Sequence, residues 1–298
     1  MNAPLFVGLD AGGTKTAALA SSGDSLIRLT GPGAQALRDG TDAAAAIVAD
    51  LVGQARKQAD APLAAVAVGF AGAGREDTRT AIAESLRASL GLEAVAVVHD
   101  GDVAYRAAWG TGSGALLIAG TGSFVYAKAE SGNTVRAGGW GSALGDDGSG
   151  TALGKAALRV LLAHFDGGPP TSMPELAAER FGLSSREDVI RAVYNDAVPL
   201  ASFAPLLLSA VEAGDWASEV ALRAETNALA KQAGWIATRL GDDVEHRLRY
   251  TGGLSGEPAY QSALEGALER HLPGWDVAPC TAEPVEGALA LARSLVEA

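Results

Sequence analysis

An apolar run, a glycine-bearing turn and a second apolar run occur twice in this chain. The first copy is GLDAGGTKTAALA, Gly8 to Ala20, and the second is LIAGTGSFVYAKA, Leu117 to Ala129. Each reads as a strand, a turn containing Gly-Thr, a small hydroxyl residue and a return strand. Two unrelated hairpins would give the same pattern. Duplication is favoured, because two facing hairpins that grip phosphate would make a cleft between two similar domains. The length of 298 residues suits about two domains.

The first turn comes close to a P-loop without being one. That motif needs Lys directly after Gly13, and Thr14 stands there. The dinucleotide fingerprint GxGxxG is also absent. Gly12 and Gly13 would let backbone N–H groups face an oxygen, Thr14 and Thr16 would add hydroxyl donors, and Lys15 a charge. Asp10, at the strand end, is placed to hold Mg²⁺ through water. An ordinary Gly-Gly turn fits the same residues.

Composition narrows the classes of function. The net charge of -12 argues against nucleic-acid binding. An acidic chain binds a nucleotide locally, through backbone N–H groups, helix N-termini and a metal ion. The lone cysteine, Cys280, allows no internal disulfide and no cysteine-based metal or iron–sulfur site within one chain. The N-terminus does not read as a signal peptide, and no apolar run suits a membrane span, so a cytoplasmic enzyme is the default expectation.

The pattern along the chain predicts strands at 5–9, 16–20, 26–29, 66–68 and 95–98. Helices are predicted over 41–58, 76–90 and 103–109, with Gly91 as a C-terminal stop. After the second hairpin the chain turns helical: 151–165, 187–195, 203–213 and 216–240, with a loop at 166–174. A strand over 248–250, a helix over 258–271, a strand over 275–277 and a final helix over 284–296 complete the reading. Alternating helix and strand suggests a mixed sheet with crossover helices.

Three further stretches carry chemistry. HDGDVAYRAA, from His99, puts Asp100 directly after an apolar strand and at a helix start, aimed out of the sheet to take a proton from a sugar hydroxyl. A plain helix cap is the commoner role for such an Asp. Asp102, within the first helical turn, is the rival and suits dipole compensation better. GGWGSALGDDGSG, Gly138 to Gly150, sets Trp140 among glycines, where its ring would pack on a sugar's apolar face. There Asp146 or Asp147 would accept hydroxyl hydrogen bonds, and Ser149 and Thr151 open a helix whose N-terminus favours anions. A loop pinned by a buried Trp140 is the alternative. TGGLSG, Thr251 to Gly256, would let a base or ribose lie against backbone.

Taken in order, GLDAGGTKT, VVHDGDVAYRAA, LIAGTGS, GGWGSALGDDGSG and YTGGLSG resemble the N-acetylglucosamine and glucosamine kinases. These belong to the actin-like ATPase and sugar-kinase superfamily, alongside the benzoyl-CoA reductase activator ATPases. The resemblance spans nearly the whole chain, and the five motifs are specific together rather than singly. It implies an α/β fold of two duplicated ribonuclease-H-like domains with an interdomain cleft. The first would cover 1–112, completed by the final helix 284–298, and the second 113–283. By resemblance, Asp10, Gly12, Gly13 and Thr14, with Lys15, match the first phosphate motif, and Thr121 with Gly122 the second. Asp100 matches the catalytic base, and Gly252 and Gly253 the adenosine motif. Ser123, Gly139, Trp140, Gly141 and Asp146 fall at amino-sugar contacts. Gln35 stands where these kinases usually carry Asn.

The expected reaction is transfer of the ATP γ-phosphate, with Mg²⁺, to the primary hydroxyl of an amino sugar. N-acetylglucosamine is the first choice and glucosamine the second. ATP and a small amino sugar are the expected partners, with no nucleic acid, no membrane and a homodimeric assembly. An ATPase driving electron transfer in a partner enzyme is the rival class. It expects cysteines for an iron–sulfur cluster, which Cys280 alone does not supply. A non-enzymatic sugar sensor is disfavoured by the intact Asp100 and phosphate motifs.

Overall fold

The computed structural model describes residues 3–13, 15–34 and 40–297, the last by its backbone only. The chain divides into two compact units, 1–112 together with 280–298, and 113–279. Their strands run in the same spatial order, so the two hairpins are equivalent parts of a duplicated fold.

In the first unit, β1 (Leu5–Ala11), β2 (Lys15–Ser22) and β3 (Ser25–Pro32) form an antiparallel meander. Helix α1 (Thr41–Ala59) then leads to β4 (Leu63–Phe70), and α2 (Glu76–Leu90) to β5 (Val95–His99). Helix α3 (Asp100–Trp109) follows without a loop. The sheet order is β3-β2-β1-β4-β5, with β4 parallel to both β1 and β5. The central strands β1 and β4 are covered on both faces, which explains their nearly unbroken apolar runs. The edge strand β3 alternates between exposed and partly buried residues. Helix α1 buries Ala44, Val48, Leu51, Val52 and Ala55 as one stripe on the sheet. Gly91 ends α2 in the left-handed conformation, as expected.

The second unit begins with β6 (Gly114–Ala119), β7 (Ser123–Lys128) and β8 (Thr134–Gly138). A helical block follows: α4 (Gly150–Phe165), α5 (Met173–Phe181), α6 (Arg186–Ile190), α7 (Ala204–Glu212) and α8 (Trp216–Leu240). The unit closes with β9 (Arg247–Thr251), α9 (Pro258–His271) and β10 (Asp276–Pro279). Its sheet order, β8-β7-β6-β9-β10, reproduces that of the first unit strand for strand. The last helix, α10 (Pro284–Glu297), packs in the first unit. There Val285 and Leu289 meet Leu19, and Ala292 meets Ala65 and Ala67.

Three elements depart from the expected pattern. Strand β8 was not expected, because only Val135 of its five residues is buried and the alternation is faint. Helix α5 starts inside the expected loop 166–174. Pro174 sits in its first turn, where a missing N–H costs nothing, so this proline opens a helix rather than breaking one. The helix expected over 187–195 winds as α only to Ile190 and continues as a π-helical turn, Arg191–Asn195.

Candidate active site

In the first unit, register brings the acids together. Asp10 pairs with Gly69 on β4, and Phe70 pairs with His99 on β5. Asp10 and Asp100 therefore stand at the carboxyl ends of parallel strands, where ligands of open α/β sheets bind. Gly69 makes room for this. A Cβ there would overlap the Val103 side chain and come within 3.2 Å of the Asp100 Cα, so only glycine lets α3 sit so close. Burial first, then the Asp100 charge, with Lys15 working in the opposite direction, together raise the Asp10 carboxyl to about 6.

The start of α3 separates the two rival aspartates. His99 is the N-cap; its Nδ1 accepts from Gly101 N–H at 3.1 Å. The Asp102 carboxylate accepts from His99 N–H at 3.2 Å and completes a capping box. Asp102 is thus spent on the helix end. Among the described residues Asp100 accepts the neighbouring Gly101 N–H at 2.9 Å and contacts His99 Nδ1 at 2.7 Å, an ion pair when that ring is protonated. Its side chain keeps 35% of its exposure.

Several expected donors are already used inside the protein. Gly12 N–H donates to Lys15 C=O at 3.0 Å, closing the hairpin instead of facing a ligand. The buried Thr16 hydroxyl donates to Pro32 C=O at 2.8 Å, so it is no phosphate ligand. Thr14 and Gln35 lie outside the described residues. Lys15 is exposed beside Asp10.

The second unit shows the same economy. Gly120 N–H donates to Gly122 C=O at 2.9 Å, echoing the Gly12 bond. The N-terminus of α4 was expected to favour an anion, yet its first N–H groups are taken. Gly150 N–H donates to Gly120 C=O at 2.8 Å, Thr151 N–H to Thr121 C=O at 3.2 Å, and Ala152 N–H to the Ser149 hydroxyl at 3.2 Å. The Thr151 hydroxyl adds a further bond to Thr121 C=O at 2.8 Å. Helix α4 therefore stiffens the turn Gly120–Gly122 rather than offering these donors to a ligand. Gly252 has φ of 113°, and a Cβ there would overlap the Ala119 carbonyl. Only glycine brings the end of β9 this close to the turn, and Gly253 remains exposed next to it.

The loop Gly138–Gly150 sorts its own residues. Trp140 is 75% exposed, so it does not pin the loop as a buried anchor. Gly139 and Gly141 flank it, both at positive φ. The Asp147 carboxylate accepts from Gln232 Nε2 at 2.7 Å, and its carbonyl accepts from the Ser123 hydroxyl at 2.6 Å. The Ser123 hydroxyl, expected at a sugar contact, thus donates to the loop and holds it to β7. Asp146 is 8% exposed, has φ of 65°, and forms no carboxylate hydrogen bond or ion pair among the described residues. It abuts Gly122, where a Cβ would lie 3.0 Å from Asp146 Oδ2.

The pattern reading missed one further stretch at the acid end of the first unit. FAGAG, Phe70 to Gly74, leaves β4 beside Asp10, with Ala71 N–H donating to Ala11 C=O at 3.0 Å. Arg79 ties it down, donating to the Ala73 and Gly74 carbonyls at 2.9 and 3.1 Å. Its glycines directly after an apolar strand were the available signal.

Among the described residues no group of three or more His, Cys, Asp or Glu could hold a metal ion. The acid pair still fits Mg²⁺, which takes one or two carboxylates and completes its shell with water and phosphate oxygens. A cation there relieves the repulsion that raises the Asp10 carboxyl. No helix among the described residues is long and apolar enough to cross a membrane.

Comparison with known proteins gives the family and the fold. The model of the BadF/BadG/BcrA/BcrD ATPase family matches residues 7–292. The N-acetyl-D-glucosamine kinase of Dictyostelium discoideum is 28% identical, over 98% of both chains. The N-acetylmuramic acid/N-acetylglucosamine kinase of Clostridium acetobutylicum is 32% identical over 53% of each. A solved structure from Chromobacterium violaceum, provisionally named an N-acetylglucosamine kinase, superposes with a TM-score of 0.80 at 24% identity, covering 97% of this chain and 99% of that one. The fold is the duplicated α/β fold of the actin-like sugar kinases.

Proposed function

Because the chain belongs to the BadF/BadG/BcrA/BcrD ATPase family, we propose that it is an ATP-dependent kinase that phosphorylates the primary (6-) hydroxyl of an amino sugar, N-acetylglucosamine in the first place. The observation that carries this is the pair Asp10 and Asp100 at one sheet end, coupled strongly enough for one charge to raise the other's carboxyl. The kinase from Dictyostelium discoideum, matched over nearly its full length, supports the substrate.

Asp100 is the general base in this reading. It is free of the cap that occupies Asp102, and it accepts the proton of the sugar hydroxyl as that oxygen attacks the γ-phosphorus. Asp10, with Lys15 beside it, would hold the magnesium ion of the nucleotide, and the ion would neutralise charge on the phosphates. Gly12, Gly13 and Thr14 in the first unit, and Thr121 and Gly122 in the second, are the phosphate turns. Gly12 takes part through its shape, since its N–H is used within the hairpin. Gly252 and Gly253 receive the adenosine. Trp140, with Gly139 and Gly141 allowing its loop to bend, stacks on the sugar, and Asp146 accepts its hydroxyls. Gln35 belongs to the same sugar contact set. The assembly proposed is a homodimer acting in the cytoplasm.

The unpaired Asp146 carboxylate favours glucosamine as a second reading, because an ammonium group would neutralise it. Incubation with ATP, Mg²⁺ and each sugar tests both readings. The expected products are ADP and a sugar 6-phosphate in equal amounts, with N-acetylglucosamine consumed faster than glucosamine. Inorganic phosphate without a sugar phosphate would replace the kinase by an ATPase.

A further inference from the structure

Helix α8 sends the Gln232 side chain into the base of the loop Gly138–Gly150. Gln232 is 4% exposed, and its Nε2 donates to Asp147 Oδ2 at 2.7 Å. Its Oε1 is buried without a hydrogen-bond partner and lies against Gly138, where a Cβ would overlap it. An orphaned buried acceptor is unfavourable, and a methionine or leucine would fill the same space without it. What the glutamine supplies in return is the bond to Asp147.

That bond is one of four on two consecutive residues. The Ser123 hydroxyl holds the Asp147 carbonyl at 2.6 Å. Glu225, about two turns back on the same face of α8, accepts from Gly148 N–H at 3.3 Å, and the Tyr260 hydroxyl on α9 donates to Gly148 C=O at 2.7 Å. Tyr260 is fully buried, so its hydroxyl is committed to this contact. With Asp147 and Gly148 clamped, the preceding residue has little freedom. Asp146 is held at φ of 65° with its carboxylate beside Gly122.

We infer that Gln232 is a positioning residue for amino-sugar recognition. By occupying the Asp147 carboxylate it leaves Asp146 as the one acid of the pair presented to substrate, in a single orientation. This rests on the proposed kinase reading and deepens it: the grip on the sugar is set from α8, not from the loop alone. Preorganising one side chain changes affinity on the order of tenfold.

The test is steady-state kinetics of the full chain, with KM measured separately for N-acetylglucosamine and for ATP. Gln232→Leu, which keeps the volume and removes the amide, is expected to raise the sugar KM by about tenfold and to leave the ATP KM within about twofold. Gln232→Glu gives a readout that a packing role would not move. When protonated, the new carboxyl donates to Asp147 as the amide does; when ionised, it repels Asp147, with Asp146 and Glu225 adding to the repulsion. Its sugar KM should climb with pH relative to wild type and approach the wild-type value in acid. If Gln232→Leu fails to fold, Tyr260→Phe removes a single clamp hydroxyl and should show the same split between the two KM values. A sugar KM equal to wild type in the folded variants, with no added pH dependence, overturns the inference while the kinase reading stands. A wild-type protein that phosphorylates no amino sugar overturns both.

Discussion

At the end of β1 the first unit places Asp10, paired with Gly69; at the matching place in β6 the second unit has Ile118, paired with Thr251. After β5 the first unit continues into α3 and Asp100. After β10 the chain leaves the second unit altogether and forms α10 in the first. Between the third and fourth strands the first unit has α1, whereas the second has the block α4 to α8. One topology, repeated, thus carries two kinds of chemistry. The first copy concentrates carboxylates at its strand ends. The second supplies backbone, a loop and the helices that hold the loop. Neither hairpin leaves its first glycine N–H open, so a phosphate held at either turn would be held by its shape and its remaining groups.

Substitutions on the two sides sharpen this contrast. The largest effect is expected at Asp100. Asp100→Asn should lower kcat by about 10²- to 10⁴-fold, the scale of general-base catalysis. Asp102→Asn, whose amide oxygen can still accept from His99 N–H, should leave turnover and stability near wild type, whereas Asp102→Ala should cost about 1 kcal/mol through the lost capping box. The reverse result would exchange the roles of the two aspartates.

Asp10 comes next, and its effect shows in stability. Its carboxyl is raised from 3.8 to about 6 on folding, so the native state favours the protonated form. The stabilisation this gives is complete below about pH 3.8 and is lost as pH rises through about 6. The difference amounts to about 3 kcal/mol across that window. Urea melts of the ligand-free protein should therefore find Asp10→Asn less sensitive than wild type between pH 4 and 7, and more stable than wild type at pH 7.5. Mg²⁺ with nucleotide should narrow the gap by stabilising the wild-type carboxylate. A wild-type profile parallel to that of the variant would remove the coupled acid pair from the account.

The smallest of the three lies in the second unit. Asp146→Asn should raise the amino-sugar KM by roughly 10- to 100-fold, the worth of a hydrogen bond to a charged group. Its kcat should fall far less than that of Asp100→Asn. Comparable losses of kcat at both positions would break the division of labour between the two units.

Much of the scaffold was legible because it rests on strong periodicity. The strands around Val66 to Val68 and Val95 to Val98, the helix stop at Gly91 and the repeated hairpin all follow from local pattern. The short strand Thr134–Gly138 and the helix opened by Pro174 were missed, since one buries a single residue and the other uses proline where it does no harm. At the site, motif order pointed to Asp100, Trp140 and Asp146. It could not tell that Thr16 and Ser123 spend their hydroxyls on Pro32 and Asp147, because those partners are set by strand pairing and loop closure. Gln232, Glu225 and Tyr260 carried no signal at all. They lie 77 to 112 residues from the loop residues they hold and meet them only through the packing of α8 and α9.

The central claim is that the acid pair and the loop serve transfer to a sugar rather than hydrolysis. ADP release, measured with and without N-acetylglucosamine at saturating ATP and Mg²⁺, tests it most directly. The account predicts release that depends on the sugar and matches the sugar phosphate formed. Release at the same rate without any sugar would contradict it and identify the chain as an ATPase acting on a different partner.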